Sequence, residues 1–142
     1  MQLNELPFPI TIVAQDGWAA CKESLDEVRM WSVGAIASYN KLGFIVADSS
    51  GAMWRLTRIE PERRITLWDR LPLRIVSVPV RITVESLAGD PLQLFREQFA
   101  KALEKDDDCL TQFHSEEKIR AVLNGTESLV KLTKTLHKMR VT

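Results

Sequence analysis

The sequence predicts an α+β fold, a mostly antiparallel sheet with an early helix and three C-terminal helices packed on one face, and two observations carry that prediction. Short β-branched runs separated by Gly, Pro and Asp fill most of residues 8–87, and the hydrophobic period lengthens to that of a helix after Asp90. Strands come first and helices after, which is the layout of helices layered on an antiparallel sheet. A chain of 142 residues suits a single domain over 1–142 with one core.

Residues 8–14 (FPITIVA) read as the first strand, bounded by Pro7 and by the Asp16-Gly17 turn. Ser24-Leu25-Asp26-Glu27 has the form of a capping box, so a helix is expected to start there. Leu25, Val28, Trp31, Ala35 and Tyr39 follow at helical spacing, ending near Asn40 and Gly43, although Gly34 inside the pattern costs about 1 kcal/mol relative to Ala. Residues 44–47 and 53–59 flank Asp48-Ser49-Ser50-Gly51, a β-hairpin signal with Gly51 at positive φ, and Pro61 ends its second arm. A further short strand is expected at 65–68. From 73 to 87, Val76, Val78, Val80, Ile82 and Val84 alternate with Ser77, Pro79, Arg81, Thr83 and Glu85, so one face of a long strand is buried. Pro79 cannot donate to a ladder and belongs on an edge or at a bulge.

In the last third, Asp90-Pro91 starts a helix striped by Leu92, Phe95, Phe99 and Leu103. Ser115-Glu116-Glu117 starts a second, stopped by Asn124-Gly125, and Thr126 is the expected cap of a third, striped by Leu129, Leu132, Leu136 and Met139.

Formal net charge is zero, which argues against a protein devoted to sequence-independent phosphate contacts. The charges are nonetheless segregated. Residues 1–84 carry 10 Lys/Arg and 9 Asp/Glu, residues 85–117 carry 3 and 9, and residues 118–142 carry 6 and 1. The beginning of the sequence has no secretory-signal pattern and no apolar run approaches the roughly 20 residues of a membrane span, so a cytoplasmic location is expected. Cys21 and Cys109 stand far apart without a CxxC or Cys/His spacing; a disulfide framework or structural zinc site is not indicated, and both are expected as buried small hydrophobes. Dinucleotide, P-loop, GxSxG, HExxH and EF-hand patterns are absent.

Four features bear on function. Cys109 precedes His114 by five residues, a nucleophile-and-base spacing that fits no helical face well, while His137 among Lys134, Lys138 and Arg140 reads as a solvated basic helix end. The run Glu104, Asp106, Asp107, Asp108 opposes the dipole of the helix it follows, so it either leaves the helix or serves a partner; with Glu116 and Glu117 it is the candidate partner-binding surface. Arg55, Arg58, Arg63, Arg64, Arg70, Arg74 and Arg81 interleave with Trp54 and Trp68, the composition of interface anchors, of single-strand nucleic-acid platforms, or of cross-strand ion pairs. The last two helices superficially suit a helix-turn-helix presenting Lys131, Lys134, Thr135, Lys138 and Arg140.

Residues 43–56, Gly43-Phe44-Ile45-Val46-Ala47-Asp48-Ser49-Ser50-Gly51-Ala52-Met53-Trp54-Arg55-Leu56, within the stretch 43–59, resemble a hairpin pattern of small bacterial toxin-immunity proteins: a strand, Asp-Ser-x-Gly, and an aromatic strand, with a helix before and helices after. The likeness spans about an eighth of the chain. It implies a non-enzymatic inhibitor that binds and occludes a toxin, and it transfers no binding residue, because such families use variable surfaces. The neutral balance departs from the acidic one expected against a basic nuclease. The expected activity is therefore protein binding, with another protein, a toxin on this resemblance, as partner. A nucleic-acid-binding regulator using the basic C-terminal helix is the alternative, and a small-molecule-binding domain the third; no catalytic residue, cofactor, metal or membrane partner is expected, and the oligomeric state is open.

Overall fold

The structure, a computed structural model, describes residues 1–71 and 75–142. Over these residues the strands are β1 (Ile10–Ala14), β2 (Ala19–Lys22), β3 (Met30–Ser32), β4 (Phe44–Ala47), β5 (Met53–Pro61) and β6 (Ser77–Ser86). The helices are α1 (Val33–Leu42), α2 (Pro91–Glu104), α3 (Glu116–Gly125) and α4 (Leu129–Lys138). One six-stranded sheet runs in the order β2-β1-β4-β5-β6-β3 with antiparallel neighbours throughout, so the fold is α+β.

Strand alternation sorts the apolar residues into two layers. Ile10, Ile12, Phe44, Val46, Leu56, Ile59, Val78, Val80, Ile82 and Val84 face a layer closed by Ile36 of α1 and by Leu3 and Leu6. Val13, Ile45, Ala47 and Met53 face the other way, against Phe95 and Phe99 of α2, Ile119 and Leu123 of α3, and Leu132 and Leu136 of α4. The three C-terminal helices thus share one face and α1 takes the opposite one. Strands β1 and β4 are buried on both sides, which is why they read as unbroken apolar runs. A bulge between Leu56 and Arg58 lets Leu56 and Ile59, three apart, point into the same layer. Beyond the reach of β4, the Asn40 side chain serves the backbone of Ile59, accepting from its N–H at 2.8 Å and donating to its carbonyl at 2.9 Å.

Several boundaries differ from expectation. The Ser24 motif yields only a 3₁₀ turn at Leu25–Val28, without a side-chain cap from Ser24. Met30–Ser32 then pairs with β6 as an edge strand, which turns Trp31 into the sheet layer and moves the true cap to Ser32, whose hydroxyl accepts from the Ala35 N–H at 3.1 Å. Tertiary pairing overrides the helical spacing of Val28 and Trp31. The strand expected at 65–68 is absent; a 3₁₀ turn at Trp68–Arg70 stands there. The long strand begins at Ser77; Leu73, its expected first residue, lies outside the described residues.

Pro79 lies inside β6, between β5 and β3, and is neither on an edge nor at the bulge. Its carbonyl accepts from Glu62 N–H just past the end of β5, so its missing N–H faces a side where the ladder has run out. Ser128, not Thr126, caps α4, accepting from Lys131 N–H, while the Thr126 hydroxyl donates to Val122 and stays with α3. The end of α3 is also held by Arg96 of α2, whose guanidinium donates to the carbonyls of Leu123, Asn124 and Thr126 at 2.8, 3.2 and 2.7 Å, a cation placed at the negative end of a helix.

Candidate functional site

After β5, the 3₁₀ turn Trp68–Arg70 packs against α1, and it is organised by one buried carboxylate, Asp69. Arg63 donates to it through Nη1 at 2.9 Å and Nη2 at 3.2 Å, and Thr66 donates its N–H at 2.9 Å and its hydroxyl at 3.0 Å. The Arg63 hydrogen bonds, joined by those from Thr66, hold the Asp69 carboxyl well below the usual carboxylate range. With Asp69 turned inward, Leu67 and Trp68 just before it turn out, 82% and 72% exposed, and Ile75 further along is 88% exposed. A groove of about 680 Å³ opens between Ile65, residues 69–71 and Ile75 on one side and the start of α1 on the other, with Val33 and Ile36 among its walls. Large apolar side chains gathered at a surface mark interaction sites, and burying one fully is worth roughly 1.5–3 kcal/mol.

The arginines of this region divide. Arg55 pairs with Glu85 across β5 and β6, Arg58 with Glu60 at 2.9 Å, and Arg63 with Asp69, so these three follow the cross-strand or local pairing reading. Arg70 lines the groove, and Arg74 lies outside the described residues. Trp54 is half-buried, donating its indole N–H to Asp48 at 2.8 Å, whereas Trp68 is free of the core.

The acidic residues singled out by the sequence lie along the connection from α2 to α3: Glu104 ends α2, Asp106, Asp107 and Asp108 follow it, and Glu116 and Glu117 open α3. Because α2 stops at Glu104, Asp106, Asp107 and Asp108 lie outside it and Glu104 alone of the run opposes its dipole from within the helix. Asp106 points into its own loop, accepting from the N–H groups of Cys109, Leu110 and Thr111 at 2.9, 2.8 and 3.2 Å and from the Thr111 hydroxyl at 2.9 Å. Partial burial pushes its carboxyl up, but these hydrogen bonds outweigh burial and leave it below its ordinary value. Glu116 pairs with Arg120 at 2.8 Å, and Glu104, Asp107, Asp108 and Glu117 are exposed. Cys109 is exposed on this loop and Cys21 half-buried on edge strand β2, so neither is the buried hydrophobe expected.

Asp69 and Asp106 both titrate below the ordinary carboxylate value of about 3.9, so each stabilises the fold above that pH and loses its contribution as pH falls below it. Stability is therefore expected to decline from about pH 5 downward, and the double variant Asp69→Asn, Asp106→Asn to flatten that decline. Urea titrations at a series of pH values measure the slope; an unaltered slope in the double variant would refute the assignment.

A second cluster lies where the last turn of α4 faces the end of β2 across a groove. Cys21, paired with Thr11, stands on the α4 side of β2, and Glu23 follows two residues later. The Glu23 carboxylate lies 3.2 Å from His137 Nε2 and 3.9 Å from Cys21 Sγ. Burial, then the Glu23 and Glu27 carboxylates, push the Cys21 thiol up, so it is not an activated nucleophile. A groove of about 380 Å³ passes over the cluster, floored by Thr11, Ala47 and Val130 and flanked by Lys134 and Lys138. The sequence reading of His137 as a basic helix end missed this neighbourhood. Only the i, i+2 spacing of Cys21 and Glu23 at the end of a strand hinted at a shared side, and nothing local named a histidine 114 residues downstream.

Among the described residues no helix is long and apolar enough to cross a membrane. Comparison with protein-family models, with characterised proteins and with solved structures finds no match. What the fold and its surfaces define is an α+β domain bearing an outward-facing apolar turn.

Proposed function

We propose that the chain is a non-enzymatic protein-binding module, of the toxin-immunity kind that its 43–59 hairpin resembles, acting by occluding its partner. The observation that carries this reading is the Asp69 turn: a buried carboxylate with four hydrogen bonds holds Leu67 and Trp68 in solvent, in a turn whose Asp69 and Arg70 line an apolar groove. A fold gains nothing internally from fixing a tryptophan outward, whereas an interface gains from an anchor whose ordering cost is already met. The exposed acids Glu104, Asp107, Asp108 and Glu117, with Asp106 and Glu116 already engaged internally, remain a second contact surface that steers a basic partner.

The test is affinity capture from the native host, followed by purification of the captured protein and measurement of its Kd and activity. Trp68→Ala is expected to weaken binding by about 2 kcal/mol, roughly 30-fold, with an unchanged melting temperature because the indole is exposed. Stoichiometric chain is expected to silence the partner. An effect from neutralising Asp107, Asp108 and Glu117 alone would move the contact to the acidic loop. Affinity indifferent to both sets of changes would remove the reading.

A further inference from the structure

We propose that Cys21, Glu23 and His137 form a binding site for a divalent cation of the zinc class. One ligand atom from each of the three residues lies within 4.8 Å of the others, with Glu23 Oε1 at 3.2 Å from His137 Nε2 and 3.9 Å from Cys21 Sγ. Tetrahedral zinc, with bonds of about 2.0–2.3 Å to oxygen, nitrogen and sulfur, sets its donors roughly 3.3–3.6 Å apart. The side chains therefore need only small rotations to close on an ion. Mixed sulfur, nitrogen and oxygen donors suit zinc-class ions far better than calcium or magnesium, which take oxygen.

The histidine supplies a second, independent observation. Its Nδ1 lies 3.2 Å from the Thr142 backbone oxygen, while Nε2 faces the Glu23 carboxylate. Both ring nitrogens thus face oxygens that only accept. With Nδ1–H donated to Thr142, the Nε2 lone pair is aimed at a carboxylate, and a cation between the two resolves the opposition as a second ring proton would. A backbone oxygen on the far ring nitrogen is also the usual way a ligating histidine is oriented. On binding, the Cys21 thiol proton leaves to solvent, and the thiolate and the Glu23 carboxylate bring two negative charges that neutralise the dication, so the loaded site adds no net positive charge beside Lys134 and Lys138. Three protein ligands leave a fourth position open to water or to a ligand entering the 380 Å³ groove.

The ligands come from β2, its following residue and the last turn of α4, so sequence spacing gives no zinc signature. Cobalt(II), then zinc(II), is titrated into the full reduced chain. The expected result is saturation at one equivalent with a thiolate-to-cobalt charge-transfer band in the near ultraviolet. Cys21→Ser is expected to abolish the band, and Glu23→Gln and His137→Gln each to weaken zinc by about 10- to 100-fold or more, judged by competition with a chromophoric chelator. Cys109→Ser is expected to change nothing, and circular dichroism shows whether each variant is folded. Absence of a saturable site, or a band that survives Cys21→Ser and disappears in Cys109→Ser, would overturn the proposal.

Discussion

Gly17→Ala is expected to lower stability by about 3 kcal/mol or more, because this glycine of the β1–β2 turn is buried against the end of α2. Gly17 sits at φ +99°, where a side chain is strained, and a Cβ there would stand 2.5 Å from the Lys105 carbonyl oxygen and 2.8 Å from its carbon. Both obstacles are backbone, so no rotamer change relieves them. Backbone must shift, in the β1–β2 turn or at the end of α2, where Lys105 N–H is bonded to Ala102 and Asp106 N–H to Leu103. The strain of a positive φ and the displacement of packed backbone each contribute about 1–3 kcal/mol. Gly34→Ala is the matched control: a Cβ at Gly34 meets nothing within 4 Å and the residue is inside α1, so a gain of about 0.5–1 kcal/mol is expected. Guanidinium titrations of the two variants measure both signs. Equal stabilities would show that the turn does not rest on the end of α2. The contact also bears on the acidic surface, since the Gly17 turn seats the residue from which Asp106, Asp107 and Asp108 depart.

The hairpin 44–59, the α2 stripe of Phe95, Phe99 and Leu103, and the alternation of Val78, Val80, Ile82 and Val84 could be read from sequence because each is a local periodicity answering to a single buried face. Where two principles competed, locality failed. Val28 and Trp31 keep helical spacing, yet the free edge of β6 recruits Met30–Ser32 as a strand, and no residue near Ser24 announces that edge. Thr126 and Ser128 are equally good caps by type; Thr126 is taken by the Val122 carbonyl. Of the surface features, the acidic run was visible as composition, but the inward turn of Asp106 depends on donors that the chain presents only after the loop has folded. Trp68 was visible only as one tryptophan among arginines. Its outward display depends on Asp69 being captured by Arg63 and Thr66, a decision made by three residues of ordinary type. In the Cys21, Glu23 and His137 cluster the first two are neighbours at one strand end, but His137 reaches them only through the fold, and so that third member had no local signal.

Asp48→Ala is expected to cost about 3–4 kcal/mol, and its outcome weighs on how the hairpin resemblance is to be used. Asp48 is 4% exposed and its carboxylate accepts from Ser50 N–H at 2.9 Å, the Ser50 hydroxyl at 2.6 Å, Ala52 N–H at 3.1 Å and the Trp54 indole at 2.8 Å. Removing the carboxylate strands several donors at once, and each half-buried one left without an acceptor costs about 1–3 kcal/mol, less whatever water recovers. Asp48→Asn keeps one acceptor oxygen but presents an amide to the remaining donors, so about half the loss is expected. Trp54→Phe removes one donor and, with Asp48→Ala, forms a double-mutant cycle whose coupling energy reports the indole bond, expected near 1.5 kcal/mol because the acceptor is charged. Asp48 and Trp54, together with Gly51 at φ +84°, are among the residues that carry the likeness to immunity proteins, whereas Ser50 stands at the variable position of Asp-Ser-x-Gly. If stability falls as expected, the likeness reflects what a tight hairpin with a pinned tryptophan requires for folding, and the functional argument then rests on the Trp68 turn. If instead Asp48→Ala leaves stability intact while partner affinity collapses, Asp48 belongs to the interface, and the hairpin, not the Asp69 turn, is where the partner docks.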